Sequence, residues 1–215
     1  MRRLLLSIVA ASLLLPFGTL SVMVRPNSSI SVGAAASDLA APAATYKYND
    51  ISLVLNVPSV TDAASLATYA GSYVKRVLRY NANTQSFQVY VVGNPATNFS
   101  LATGDFVFLL VDSTAPNSLA FVGNVPDQGS VSFSLVSGSP AKYNFLSLPL
   151  DKTNLTSASA VAGEVGTGVV RVLRYQGETQ SFQVYIVGNP ATDFPLAIGE
   201  PFLLLLSSGA RSKWP

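Results

Sequence analysis

The sequence predicts an α+β protein, mainly β, made of two tandem copies of a small sheet-based or barrel-like unit with one short helix each. Three observations carry this reading. Residues 76–99 and 171–194 are nearly the same stretch, RVLRY…TQSFQVY…GNPAT, at an offset of 95 (Tyr175 minus Tyr80) that runs without a gap from Asn49/Asn144 to Ser113/Ser208. A period of that length marks a duplicated small domain rather than a short solenoid repeat. The stretch is rich in β-branched and aromatic residues with turn formers between the runs, the pattern of a hairpin. Hydrophobic residues make up 49% of the 215 and charged ones 11%, which is too apolar for a disordered chain and far below the usual charged share of roughly 25%.

The chain opens on Arg2-Arg3 and the apolar run Leu4 to Leu15, broken at Pro16. A basic start before such a run reads as a secretory signal. Apolar character resumes over Phe17 to Val24, so a membrane anchor of ~20 residues is the alternative, and the pattern favours the signal. Small residues suit cleavage after Ser21, Ala36 or Ala43. Cutting after Ala36 removes Arg2, Arg3 and Arg25, leaving 10 of 13 basic residues against 11 acidic ones. The basic pI near 8.9 therefore belongs to the leader, and no basic stripe remains for nucleic acid. The expected organisation is a signal and start of linker over 1–36, linker over 37–48, repeat domain 1 over 49–139 with an extra hairpin at 118–136, repeat domain 2 over 140–209 and a tail over 210–215.

Each copy should begin with an apolar strand, Ile51 to Leu55 and Leu146 to Leu150. Pro149 cannot donate to a ladder, so this strand is expected at an edge or to stop pairing there. A short helix follows. Thr61 suits the N-cap, Ala63, Leu66, Ala67 and Ala70 fall at helical spacing, and Gly71 can close the end; Thr156, Ala158, Val161, Ala162 and Gly166 repeat the set. The hairpin strands are Val74 to Tyr80 and Ser86 to Val92. Gly177-Glu178 fits a two-residue type II′ turn, a register that sets Leu78 opposite Phe87, Arg76 opposite Val89 and Val77 opposite Gln88. Gly93-Asn94-Pro95 ends the second strand. After Gly104-Asp105 and Gly199-Glu200 come the apolar runs Phe106 to Val111 and Phe202 to Leu206, which read as strands buried on both faces. Leu119 to Val125 and Val131 to Val136, joined by Pro126-Asp-Gln-Gly129, predict the extra hairpin, which would lie between the copies and cover both.

The succession LSLPL (146–150), a Thr-started helix, VxRVLRY, TQSFxVY and FxLxxG followed by Asp or Glu resembles repeat modules of secreted bacterial cell-surface proteins. Tyr80 and Tyr175 stand where those modules often carry Trp, and Phe106 and Phe202 approximate their late aromatic residue. The resemblance implies an extracellular or cell-surface location and a module type, and brings no active site with it.

The chain has no cysteine and no histidine, which removes disulfides, thiolate chemistry and the commonest metal ligand and general base. Hydrolase elbows, zinc motifs and phosphate loops are missing as well. The expectation is a protein that is not an enzyme and needs no cofactor or metal. Arg76 with Asp105, and Arg171 with Glu200, are the candidate charge pairs, read as structural ties between the hairpin and the turn. Tyr90, Gln88 and Asn94, with Tyr185, Gln183 and Asn189, form the candidate binding set, because aromatic faces beside amides suit a sugar. The same residues read more simply as the solvated face of a half-buried strand, and that reading is preferred. The sequence thus points to a secreted or cell-surface structural or adhesion module. The alternative is a carbohydrate-binding module, a fragment of a larger extracellular protein. Partners would be a cell-surface glycan or a second chain at an open strand edge, with membrane contact only through the N-terminal segment.

Overall fold

A computed structural model describes residues 46–116 and 118–215. The N-terminal basic and apolar segment, the cleavage sites and most of the linker lie outside the described residues. The two copies are the same unit twice. The first runs β1 (Lys47–Ser52), α1 (Ala63–Ala70), β2 (Val74–Asn81), β3 (Ser86–Val91) and β4 (Phe106–Val111). After β5 (Phe133–Ser134), the second runs β6 (Lys142–Ser147), α2 (Ala158–Val165), β7 (Val169–Gln176), β8 (Ser181–Ile186) and β9 (Pro201–Leu206), followed by β10 (Lys213–Trp214). The first four strands form an antiparallel sheet in the order β1-β4-β2-β3, and the second copy repeats it as β6-β9-β7-β8.

The apolar runs β4 and β9 sit inside their sheets with a neighbour on each side, as strands buried on both faces must. One face of each sheet carries its helix. Ala63, Leu66, Ala67 and Ala70 pack there on Val77, Val107 and Leu109 in the first copy, and Val161, Ala162 and Val165 pack on Val172 and Leu204 in the second. The other faces meet each other across a third cluster built on Leu78, Phe106 and Phe108 from one copy and Leu173, Tyr175 and Leu203 from the other. The order of layers is helix, sheet, sheet, helix.

Several local expectations shift. The first strand starts at Lys47 rather than Ile51 and so takes in the end of the expected linker. Its polar residues Asn49, Asp50 and Ser52 are buried beside β4, so an apolar run was the wrong marker for it. β6 is an edge strand and ends before Pro149, as proline requires. The helix cap falls one residue later than Thr61. Asp62 accepts from the Ser65 backbone N–H at 2.7 Å while Ser65 Oγ accepts from the Asp62 N–H at 3.0 Å, a reciprocal capping box; Ser157 caps α2. Gly71 closes α1 at φ 129°, where a Cβ would lie 2.8 Å from the Tyr73 ring.

The hairpin turn is longer than two residues. Asn81 pairs with Ser86 and Gln176 with Ser181, leaving four-residue loops that end on Gln85 and Gln180, both at φ 53°. The register moves accordingly: Arg76 faces Val91, Val77 faces Tyr90, and Leu78 faces Val89. The extra hairpin at 118–136 is not formed. Its first arm joins the first copy, where Leu119 and Phe121 are core residues and Asn124 bridges to Asn56. Its second arm joins the second copy, where Phe133–Ser134 pairs with Lys213–Trp214. The arms separate because each finds a better apolar partner in a different copy than in the other arm. The tail reaches the core through one residue: Trp214 is 0% exposed and stacks on Phe133 at 5.9 Å, while Arg211, Ser212 and Lys213 are exposed.

Candidate functional site

The seam between the sheets is crossed by one pair of repeat-equivalent polar side chains, Gln85 and Gln180. Gln85 donates through Nε2 to the Tyr143 carbonyl at 3.0 Å and accepts at Oε1 from the Tyr143 N–H at 2.8 Å. Gln180 does the same to Tyr48, at 2.9 Å for each bond. Gln85 and Gln180 are repeat equivalents, and so are Tyr48 and Tyr143. Each copy therefore clamps the other's first strand by the same pair of bonds, the reciprocity of a two-fold interface. In doing so the amide satisfies backbone groups on an edge strand that would otherwise remain open. Nothing in the turn chemistry marks these glutamines. The available signal was their identity in both copies at a turn position that favours glycine.

Asp105 and Glu200 are in ion pairs, but with the next arginine of the RVLR motif rather than with Arg76 and Arg171. Arg79 Nη1 lies 3.2 Å from Asp105 and Arg174 Nη1 lies 3.1 Å from Glu200. The alternation of the strand decides this. Positions 77 and 79 point to the helix side, where the guanidinium of Arg79 also lies 4.9 Å from the Phe99 ring, and Arg174 sits equally over Phe194. Arg76 and Arg171 point to the other side and are exposed. The tie between hairpin and turn is real, and its cation is displaced by three residues. Each carboxylate also accepts from a backbone N–H in its own turn, Ala102 or Ala197, at 3.0 and 2.7 Å.

The proposed binding set does not form one surface. Tyr90 and Tyr185 face the helices and are core residues, 6% and 7% exposed, because the longer turn places Tyr90 opposite Val77. Gln88 and Gln183 accept from Arg79 Nη2 and Arg174 Nη2 at 2.9 and 2.6 Å. Asn94 and Asn189 cap the 3-10 turns Pro95–Thr97 and Pro190–Thr192. These side chains are engaged in holding the fold.

Two features of the seam were not anticipated. A cleft of about 350 Å³ opens where the first hairpin meets β5 and β6; Tyr80, Asn81, Asn83, Gln88, Phe133 and Phe145 are among its lining residues. The second is Asp50, 4% exposed at the position where the other copy has Phe145. Burial pushes its carboxyl up to about 7; its own backbone N–H opposes the rise, the charge of Glu200 adds to it, and Arg174 pulls it down. A misfit in the repeat alignment, acid against phenylalanine, was the sequence signal for it. Among the described residues no cluster of three metal-ligating side chains occurs and no helix is long and apolar enough to cross a membrane. Set against protein-family models, curated proteins and solved structures, the chain matches none.

Proposed function

We propose that the chain is a non-enzymatic structural or adhesion module that works outside the cytoplasm, on or near a cell surface. The observation that carries this reading is where the repeated polar side chains go. Arg79/Arg174, Asp105/Glu200, Gln88/Gln183, Asn94/Asn189 and Gln85/Gln180 all make internal bonds that brace a hairpin, a turn or the seam. Duplication has kept a bracing system, which is what a rigid building unit needs. The location rests on Arg2-Arg3 with Leu4 to Leu15 and on the resemblance to secreted surface repeats. Contact with a second chain would use β3 and β8, the sheet edges that no glutamine clamps. Both display the same uncharged row, in which Phe87, Val91, Val92 and their equivalents Phe182, Ile186 and Val187 are 39% to 45% exposed, a surface prone to strand pairing.

Expression of the full chain in a secreting host tests this. The expected product lies outside the cytoplasm with its first residues removed, and associates with rising concentration in light scattering. Substituting Val91→Lys and Ile186→Lys should abolish that association. Intact Met1 in a membrane fraction, or a monomer at every concentration with no cell-surface retention, would overturn it.

A carbohydrate-binding role is the second reading, favoured by the cleft, where the Tyr80 and Phe133 rings adjoin the Asn81 and Asn83 amides. Saturable binding on a glycan array, lost in Asn83→Ala, would establish it. The absence of any saturable binding would remove it.

A further inference from the structure

The two halves of the seam are related by the repeat but are not chemically equal. On one side Phe145 fills it with rings, stacking on Tyr80 at 4.3 Å and meeting Phe106 at 5.0 Å. On the other side the equivalent place holds the carboxyl of Asp50. Asp50 lies in register with Phe108, and the Phe108 ring meets Tyr175 of the other copy edge-on at 5.0 Å. The groups around Asp50 come from four strands. Its own β1 contributes Tyr48, β4 contributes the uncharged Phe106 and Phe108, β7 contributes Arg174 and Tyr175, and the entry to β9 contributes Glu200. Among the described residues the cation that acts on Asp50 is Arg174, which points to the helix side of its own sheet and is already shared among Glu200, the Pro195 carbonyl at 2.9 Å and Gln183. Asp50 takes part in none of the four ion pairs among the described residues.

We infer that Asp50 is a proton-sensing element of the seam, neutral when the two sheets are docked and loosening their contact when it ionises. A buried carboxylate beside another carboxylate, with the nearby cation Arg174 already engaged, is costly; the neutral acid costs much less. The shift of its carboxyl to about 7 agrees with this geometry. The charge of Asp50 is felt across the seam as well. Tyr175 is pushed up to about 12, by burial first and then by Asp50 and Tyr48.

The direction of the effect follows from linkage. The folded chain keeps the Asp50 proton above the pH at which the unfolded chain has lost it, about 4. Stability therefore falls as pH rises from about 4 to about 7 and levels off above. The protein is tightest in mildly acidic surroundings. Histidine, which normally dominates this window, is absent from the chain, so the slope has a single main source.

Thermal unfolding of the full chain between pH 5 and pH 8 tests this, alongside Asp50→Asn and Asp50→Phe, the latter copying the residue of the other half. The wild-type Tm should drop by roughly 5–10 °C over that range, and both variants should lose most of the drop. A wild-type Tm that is flat or rises with pH, or the same drop in Asp50→Asn, would overturn the inference. Should the variants not fold, carboxyl NMR of wild-type Asp50 decides: a midpoint above 6 supports it and one near 4 sinks it.

Discussion

Gln85 and Gln180 hold their backbones at φ 53°, the left-handed region that costs a residue with a Cβ about 1–2 kcal/mol. The same amide that clamps the other copy also donates back to its own loop, to the Ala82 carbonyl at 2.6 Å and the Gly177 carbonyl at 2.5 Å. A strained turn is thus held by the bonds it makes possible. Gln85→Gly would remove the strain and the clamp together, and Gln85→Ala the clamp alone. With each lost hydrogen bond worth about 1 kcal/mol, loss of the two bonds to Tyr143 and the one to Ala82 means that Gln85→Ala should lower stability by about 3 kcal/mol in urea denaturation and Gln85→Gly by visibly less. Equal losses would mean that the turn is unstrained. The arginines offer a second contrast. Glu200 is nearly sealed while Asp105 is partly open, with side chains 2% and 27% exposed. Arg174→Met strands a buried carboxylate and should cost about 3–5 kcal/mol. Arg79→Met should cost about 1 kcal/mol, and Arg76→Met, at an exposed position, less than about 0.5 kcal/mol. Urea midpoints in a different order would reassign the structural cation.

At the scale of elements, what the residues reveal depends on whether a pattern is local. The helices were legible because Ala63, Leu66, Ala67 and Ala70 keep a helical period. β4 and β9 were legible because an unbroken apolar run has one stable place, the middle of a sheet. β1 was misplaced because its polar Asn49, Asp50 and Ser52 are buried in the folded protein, Asp50 on the face that meets the other copy, which no local window contains. The charge pairs were legible in kind but not in register, since one wrong turn length slides every partner along the hairpin. The segment 118–136 failed for a related reason. Its two apolar arms have hairpin spacing, yet one is claimed by Tyr69, whose ring stacks on Phe121 at 5.4 Å, and the other by Trp214. The β5–β10 pair covers Phe202 and Leu206, so Trp214→Ala should destabilise the protein by about 3–5 kcal/mol. A change below about 1 kcal/mol in chemical denaturation would show that β10 is an ornament on the second copy rather than part of its core.

The whole molecule is two copies with three cores, and the third belongs to neither copy alone. Tyr80 on Phe145 and Phe108 on Tyr175 cross the seam, and each such aromatic pair adds about 0.5–1.5 kcal/mol beyond the area it buries. The two glutamine clamps and the Ser147 hydroxyl, which donates to the Gly104 carbonyl at 2.6 Å, cross it as well. A single copy cut from its partner would expose a sheet face carrying Leu78, Phe106 and Phe108, a contiguous apolar surface that isolated domains rarely tolerate. Unfolding one copy therefore uncovers the other, and the two should melt together. Calorimetry of the full chain at pH 5, where Asp50 is neutral, should give one transition whose van't Hoff and calorimetric enthalpies agree. Two transitions at that pH would mean that the seam joins independent domains, and the reciprocal clamps would then register the copies without stabilising them.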